Sequence, residues 1–372
     1  MSGKRIALVL PSLFGGGAER VMINLARGFV AEGHQVDLIL FKREGAYVDQ
    51  VPEGVRVLDF GVRRNLVLAA WLTLKLAAYI NRQRPDAVLA ESGVPNSIAI
   101  LAGRLASHPA RIFISEHIAI SEVIARPVTM GERLRGFFAR RLYPRADGIV
   151  CVSKGVADDL AQVGALDRQG ITVIHNPLVT PEITERAEEP CDHPWLQGDG
   201  PPVLLGVGRL VDQKDFGNLL RALAVVREQR DARLIVLGEG PQEAMLRGLA
   251  EELGVADAVD LPGFVDNPYA YMARSAALVM SSAWEGFGNV IVEAMACGTP
   301  VVSTDCPSGP SEILQDGRYG PMAPIRDPKA LAEAILRCLE EPLPPEELLD
   351  RAEDFSIPRI SRQYLDLLLA GD

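Results

Sequence analysis

AALVMSSAWEGFGNVIVEAMACGTPVVST, residues 276–304, sets two apolar runs on either side of a glycine-rich loop and a short helical pattern. AALVMSS reads as a buried strand, VIVEAMA as a helix and VVST as the next strand. Gly298 stops the helix and Pro300 leads into the strand that follows. Glu285 then falls in a strand-to-helix loop. Glu293, separated from it by seven residues, lies in the early part of the helix, with Asn289 as the expected N-cap. In open α/β sheets, loops at the carboxyl ends of parallel strands are where ligands bind. Two carboxylates around a Gly-Phe-Gly at such a place make a candidate site, although spacing alone would prove nothing.

The same alternation runs outward through the chain. Residues 4–41 read as strand KRIALVL, loop PSLFGGG, helix AERVMINLARGFVAEG and strand HQVDLILF. Residues 202–238 repeat the pattern with PVLLGVG, RLVDQKD, FGNLLRALAVVREQR and ARLIVLG. Each opens a doubly wound α/β domain. At 372 residues there is chain enough for two such domains. Between them, 176–201 is rich in proline, glycine and acids. The expected organisation is a Rossmann-like domain over 1–180, a linker over 181–200 and a second Rossmann-like domain over 201–355, the two facing across a cleft. A C-terminal helix in 356–372 is expected to pack back on the first domain.

Composition is that of a soluble globular protein, 48% hydrophobic and 23% charged. The apolar start IALVLP is short and runs into glycines, so it reads as a strand rather than a secretory leader. NLVLAAWLTLKLAAYI (65–80) is too short to span a bilayer and carries Lys75, which marks it as a core helix. Five cysteines form no CxxC pair, which suits a reducing cytoplasm, small buried fillers and no zinc.

A net charge of −11 argues against nucleic acid as a partner, yet the charge is uneven: +6 over residues 1–180 and −17 over 181–372. GERLRGFFARRLYPR (131–145) concentrates arginines among Leu134, Phe137, Phe138 and Leu142. Two readings of it stay open. It is a basic amphipathic helix resting on an anionic membrane surface, or a helix with its apolar stripe in the core and its arginines solvated.

Four segments of the second half fall at strand ends: GRLVDQKD, GEGP (238–241), LPGFVDNP (261–268) and EGFGNVIVE. Arg209 and Lys214, with a helix N-terminus exposed by small residues, suit a diphosphate: a guanidinium fork, a point charge and oriented N–H groups. Glu293, inside the helix, suits the two hydroxyls of a ribose, and Glu285 suits whatever hangs from the phosphates. In the first half, GGG at 15–17 matches neither a dinucleotide fingerprint nor a P-loop. Backbone amides at the start of the helix near Ala18 could meet an anion or a sugar hydroxyl there.

Taken in order, these segments resemble glycosyltransferase family 4, retaining enzymes of the GT-B fold. The E-x7-E motif is met by Glu285 and Glu293 around GFG, GRLVDQKDF matches the family's Arg and Lys segment, and CGTPVVSTDCPSGPSEIL follows as usual. PSLFGGGAERVMINLA is similar to the family's N-terminal glycine loop and helix. The resemblance implies that Arg209 and Lys214 neutralise a donor diphosphate. Glu293 would hold the ribose and Glu285 a hydroxyl of the donor sugar. The amides of Phe287, Gly288, Asn289 and Val290 would line phosphate and sugar, with Gly16 and Gly17 on the donor side. Backbone at Phe264 and Val265 would meet the base. His117, in RIFISEH, matches a histidine that points at the donor sugar, or is a satisfied structural histidine.

Sugar transfer passes through an oxocarbenium-like state while the nucleoside diphosphate leaves, so fixed cations and amides at that diphosphate stabilise it most. No cofactor and no metal is called for, because the chain has no D-x-D. The nucleotide sugar, with UDP favoured, is a substrate. The resemblance extends to bacterial enzymes that elongate lipid-linked oligosaccharides or surface polysaccharides. It implies a glycan or polyprenyl-diphosphate-linked acceptor at the cytoplasmic face of the plasma membrane; a small soluble acceptor is the alternative. A sugar-nucleotide epimerase of the same fold, a glycosidase using Glu285 and Glu293, and a non-catalytic nucleotide binder remain rival readings.

Overall fold

The computed structural model describes residues 3–61, 68–127 and 129–370. The chain divides into two compact units, 1–177 with 357–372, and 178–356.

The first unit holds β1 (Arg5–Leu10), β2 (Gln35–Leu40), β3 (Val55–Asp59), β4 (Ala87–Glu91), β5 (Arg111–Glu116), β6 (Gly148–Cys151) and β7 (Ile171–Val173). They form one parallel sheet in the order β3-β2-β1-β4-β5-β6-β7. The second unit holds β8 (Val203–Val207), β9 (Arg233–Leu237), β10 (Val259–Gly263), β11 (Ala277–Met280), β12 (Val301–Thr304) and β13 (Met322–Ala323). Its parallel order is β10-β9-β8-β11-β12-β13. The central strands RIALVL and VLLGV are apolar almost throughout because helices cover both faces of such sheets, leaving no solvated side to alternate with. In each unit the order turns about its first strand. The carboxyl ends of β1 and β4, and of β8 and β11, therefore flank a switch point, the crevice where doubly wound sheets place ligands.

Several expectations change here. The stretch expected as a linker, 181–200, carries the helix Pro181–Glu188 and a 3₁₀ turn at Pro194–Leu196, and belongs to the second unit. Proline at the first helical position pre-sets the backbone for that helix, so a Pro-rich stretch is here a helix start rather than a spacer. The last helix, Ile357–Leu368, joins the first unit. It lies against helix Gly17–Ala31, so close that a Cβ on Gly28 would sit 2.0 Å from Ser361 Oγ. Arg111 Nη1 donates to the carbonyls of Leu368 (3.0 Å) and Ala370 (2.7 Å) at its far end.

Helix Leu68–Gln83 is not wholly a core helix. Leu72, Leu76 and Ile80 are buried, whereas Trp71 and Leu74 are exposed. Residues 65–67 of the apolar stretch lie outside the described residues. Nor is 131–145 one helix. It forms Met130–Arg133 and Arg135–Leu142, broken at Leu134, then a 3₁₀ turn over Tyr143–Arg145. Thr129 caps the first piece reciprocally with Glu132, which fixes where it starts. Among the described residues, no helix is long and apolar enough to cross a membrane.

Candidate functional site

In the second unit, the loop after β8 and the loop after β11 are stitched together. Ala283 N donates to Gln213 O (2.8 Å), Gln213 Nε2 to Trp284 O (3.0 Å) and Ser281 Oγ to Lys214 O (2.8 Å). Lys214 Nζ then donates to Glu285 Oε1 at 2.5 Å, an ion pair whose side chains are only 19% and 9% exposed. Ser282 Oγ donates to the same carboxylate oxygen at 2.7 Å. Sequence spacing had given Lys214 and Glu285 separate tasks; the fold makes them one unit at the switch point. Low exposure strengthens such a pair, because its attraction is less screened.

The loop leading to the next helix is held from behind. Glu285 N donates to Pro307 O (3.2 Å), in the segment after β12. Gly309, at φ 101°, passes so near that a Cβ there would stand 2.0 Å from Phe287 O. Any other residue would push the EGFG loop out of place. Phe287 turns its ring inward, edge-on to Phe355 at 5.6 Å, so only its main chain is left to the loop.

The helix that follows is Asn289–Ala296. Asn289 is its first residue rather than its N-cap. The cap position belongs to Gly288, at φ 99°, a left-handed turn that costs glycine least. The helix closes as expected, with Gly298 N on Met295 O and Thr299 N on Ala294 O. Val290 lies in its first turn, and Glu293, half-buried, one turn on. Arg209 shares the β8 loop with Lys214, is exposed, and makes no ion pair among the described residues. Phe264 (72% exposed) and Val265 follow β10, two strands over, with the GEGP loop between. These residues thus share one sheet edge.

Gly16, Gly17 and His117 belong to the first unit. The amides of Gly15 and Gly16 are not open to an incoming anion. Both donate to Glu19 Oε2, at 2.8 and 2.5 Å. A glutamate at the third helical position reaches back over the helix start and takes the donors itself. Gly17 is the first residue of that helix. His117 follows β5. The one hydroxyl proton of Ser115 goes to Ala90 O (2.9 Å), so the contact of 3.1 Å between Ser115 Oγ and His117 Nε2 makes Nε2–H the donor. Nδ1 is left as an acceptor, sealed from solvent with no partner among the described residues. Burial, with the Arg135 charge nearby, pushes the imidazole down to about 4, so it is neutral at physiological pH.

Sequence reasoning passed over what surrounds His117. Glu116, fully buried, accepts from Arg135 Nη2 (2.5 Å), Asn96 Nδ2 (3.0 Å) and the Tyr143 hydroxyl. Glu91, at the end of β4, is buried as well. Burial first and the Glu116 charge second push its carboxyl up to about 8. The signal was present in AVLAE and RIFISE, two apolar strands that each end in an acid.

Two doubly wound units, the second with a Lys–Glu pair and a helix N-terminus at its switch point, define the class: a two-domain α/β protein with its chemistry at strand ends. The comparisons carry this further. The family model for glycosyl transferases group 1 matches residues 192–355, and that for Glycosyltransferase Family 4 matches 15–180. The N-acetylgalactosamine-N,N'-diacetylbacillosaminyl-diphospho-undecaprenol 4-alpha-N-acetylgalactosaminyltransferase of Campylobacter jejuni is 30% identical, over 98% of this chain and 100% of its own. The lipopolysaccharide core biosynthesis glycosyltransferase LpsE of Rhizobium meliloti is 28% identical over 95% and 96%. In fold, the chain is similar to the galactosyltransferase WaaB (TM-score 0.77, 20% identity, 98% and 99% covered). It is also similar to Anabaena HepE in complex with UDP and glucose (0.76, 21%, 99% and 100%). The chain belongs to glycosyltransferase family 4, and it is a glycosyltransferase of the GT-B fold.

Proposed function

We propose that the protein is a retaining transferase that moves a hexose or N-acetylhexosamine from a UDP-sugar to a polyprenyl-diphosphate-linked glycan. Such an acceptor is met at the cytoplasmic face of the plasma membrane, during assembly of a surface glycan. The observation that carries the donor half is the part-buried Lys214–Glu285 pair beside the N-terminus of helix Asn289–Ala296, all at one switch point. Lys214, Arg209 and the amides of Gly288, Asn289 and Val290 hold the diphosphate. Their charge grows in value as the leaving group becomes more negative, which is what lowers the barrier. Glu285 fixes the ammonium and turns its other oxygen to a sugar hydroxyl. Glu293 takes the ribose, and main chain at Phe264 and Val265 the base. Cations and amides neutralise the diphosphate here, and no metal is required.

The acceptor half rests on two supports. The relative from Campylobacter jejuni is named for a diphospho-undecaprenol-linked substrate, and that from Rhizobium meliloti for lipopolysaccharide core biosynthesis. In this chain, Leu134, Phe137 and Phe138 face outward at 43%, 57% and 37% exposure among arginines, which favours the membrane reading of 131–145 over the core reading. The test is a panel of UDP- and GDP-sugars scored by thermal stabilisation, followed by the anomeric configuration of the product. One UDP-sugar should raise Tm and give a product of the donor's own configuration. Stabilisation by GDP-sugars alone, or an inverted product, would overturn the assignment.

A further inference from the structure

The first unit contains an open groove of about 1000 Å³ that the donor chemistry does not use. One wall is helix Val94–Leu105, which turns Val94, Ile98, Leu101 and Leu105 to it. That spacing lines one face of a helix over roughly 16 Å. Leu74 closes it from helix Leu68–Gln83 and Phe138 from helix Arg135–Leu142. Leu74, Val94, Leu101 and Leu105 are 63%, 55%, 40% and 59% exposed, so four large apolar side chains of the groove stand open to solvent.

The groove has a direction. Helix Val94–Leu105 starts at the carboxyl end of β4, so the inner end of the groove lies at Ser92 and Gly93, on the ligand edge of the sheet. His117 N donates to Ser92 Oγ (3.3 Å) at that edge. Arg135 lines the same end and is tied to buried Glu116, which anchors the 129–145 segment as the third wall. Arg104 lines the groove near its outer end, and exposed Arg133, Arg140 and Arg141 ride on the third wall.

The lining decides the occupant. The lining is apolar over most of its surface, with Thr73, Ser97, Thr129 and Glu132 set among the hydrocarbon, so a peptide laid there would lose water from more amides than it could pair. An aliphatic chain loses nothing of the kind. The two lining arginines, Arg104 and the Glu116-bound Arg135, outnumber the one lining acid, Glu132, with exposed Arg133, Arg140 and Arg141 close by in the chain to complement a phosphate head. We propose that this groove binds the aliphatic chain of a lipid diphosphate, so that the acceptor is held by its first chain units as well as by its sugar. The proposal rests on the lipid-linked reading above and names the part of the site that recognises the lipid.

Farnesyl diphosphate serves as the probe, with the full chain, inorganic diphosphate as the head-only control and phosphatidylglycerol vesicles as the bilayer control. Wild type should bind farnesyl diphosphate at least about tenfold more tightly than inorganic diphosphate, since each buried methylene adds to affinity. Leu101→Glu puts a charge in the groove, and Ala70→Trp fills it from an exposed helix position without adding charge. Both should abolish that preference while UDP binding, in the other unit, is unchanged. Equal binding of the two diphosphates by wild type, or variants that bind farnesyl diphosphate as wild type does, would overturn the groove assignment. So would loss of vesicle binding with farnesyl diphosphate affinity intact, because that marks a bilayer seat rather than a chain site. Separately, equal transfer by wild type to a glycan with and without its prenyl diphosphate would sink the lipid-linked reading itself.

Discussion

Lys214 and Glu285, seventy-one positions apart, meet at 2.5 Å across the switch point of the second sheet, one from the loop after β8 and one from the loop after β11. The pair serves two ends. In the proposed mechanism it pins a cation where a leaving diphosphate gains charge, and in the fold it closes one loop onto the other.

The first prediction separates those ends. Lys214→Ala should lower turnover by about 10²-fold or more. It should also lower stability by about 1–3 kcal/mol, because Glu285 loses a partner in a poorly solvated place. Glu285→Gln keeps the shape and the Ser282 contact, so its stability loss should be smaller while its turnover still falls. Wild-type turnover in Lys214→Ala would remove the cation from the mechanism.

Gly309 tests whether the loop is set from behind. A Cβ there meets main-chain atoms of Phe287 rather than the end of a flexible side chain. Gly309→Ala, which changes no titratable group, should cost about 1–3 kcal/mol in backbone strain. It should also raise KM for the donor. Unchanged KM with a normal melting curve would show the loop to be held in another way.

Glu91 predicts a pH dependence. Its carboxyl ordinarily titrates near 4.5 and is pushed up to about 8 in the fold. An acid raised in this way keeps its proton longer in the native state than in the unfolded chain. The stability it lends is whole below pH 4.5 and is lost as pH rises through 8. Glu91→Gln mimics the protonated form at every pH, so its Tm should gain on wild type steadily from about pH 5 to 8. Parallel Tm–pH curves for the two proteins would contradict the shift.

Metal independence is tested by chelation. If Arg209, Lys214 and helix amides hold the diphosphate as proposed, transfer should persist in excess EDTA. Loss of activity that manganese or magnesium restores would sink the cation-and-amide account.

Much of this was legible in the chain itself. Alternating apolar runs and helical stretches imply parallel sheets, because the two periods differ and each must bury its apolar side. The loops GRLVDQKD and EGFGNVIVE announced themselves by charge and glycine at strand ends. Tertiary structure decided what depends on contacts between distant residues. Lys214 grips Glu285 across seventy-one positions. The closing of Glu19 over the Gly15 and Gly16 amides and the cap at Gly288 are local, set by backbone geometry that composition does not show. The acids closing β4 and β5 become a buried cluster only once the sheet sets those strands side by side, with Arg135 and Tyr143 brought in from a later segment. The groove was hidden for the same reason. A leucine at every helical turn reads as core in any one helix, and only packing shows which leucines were left without a neighbour.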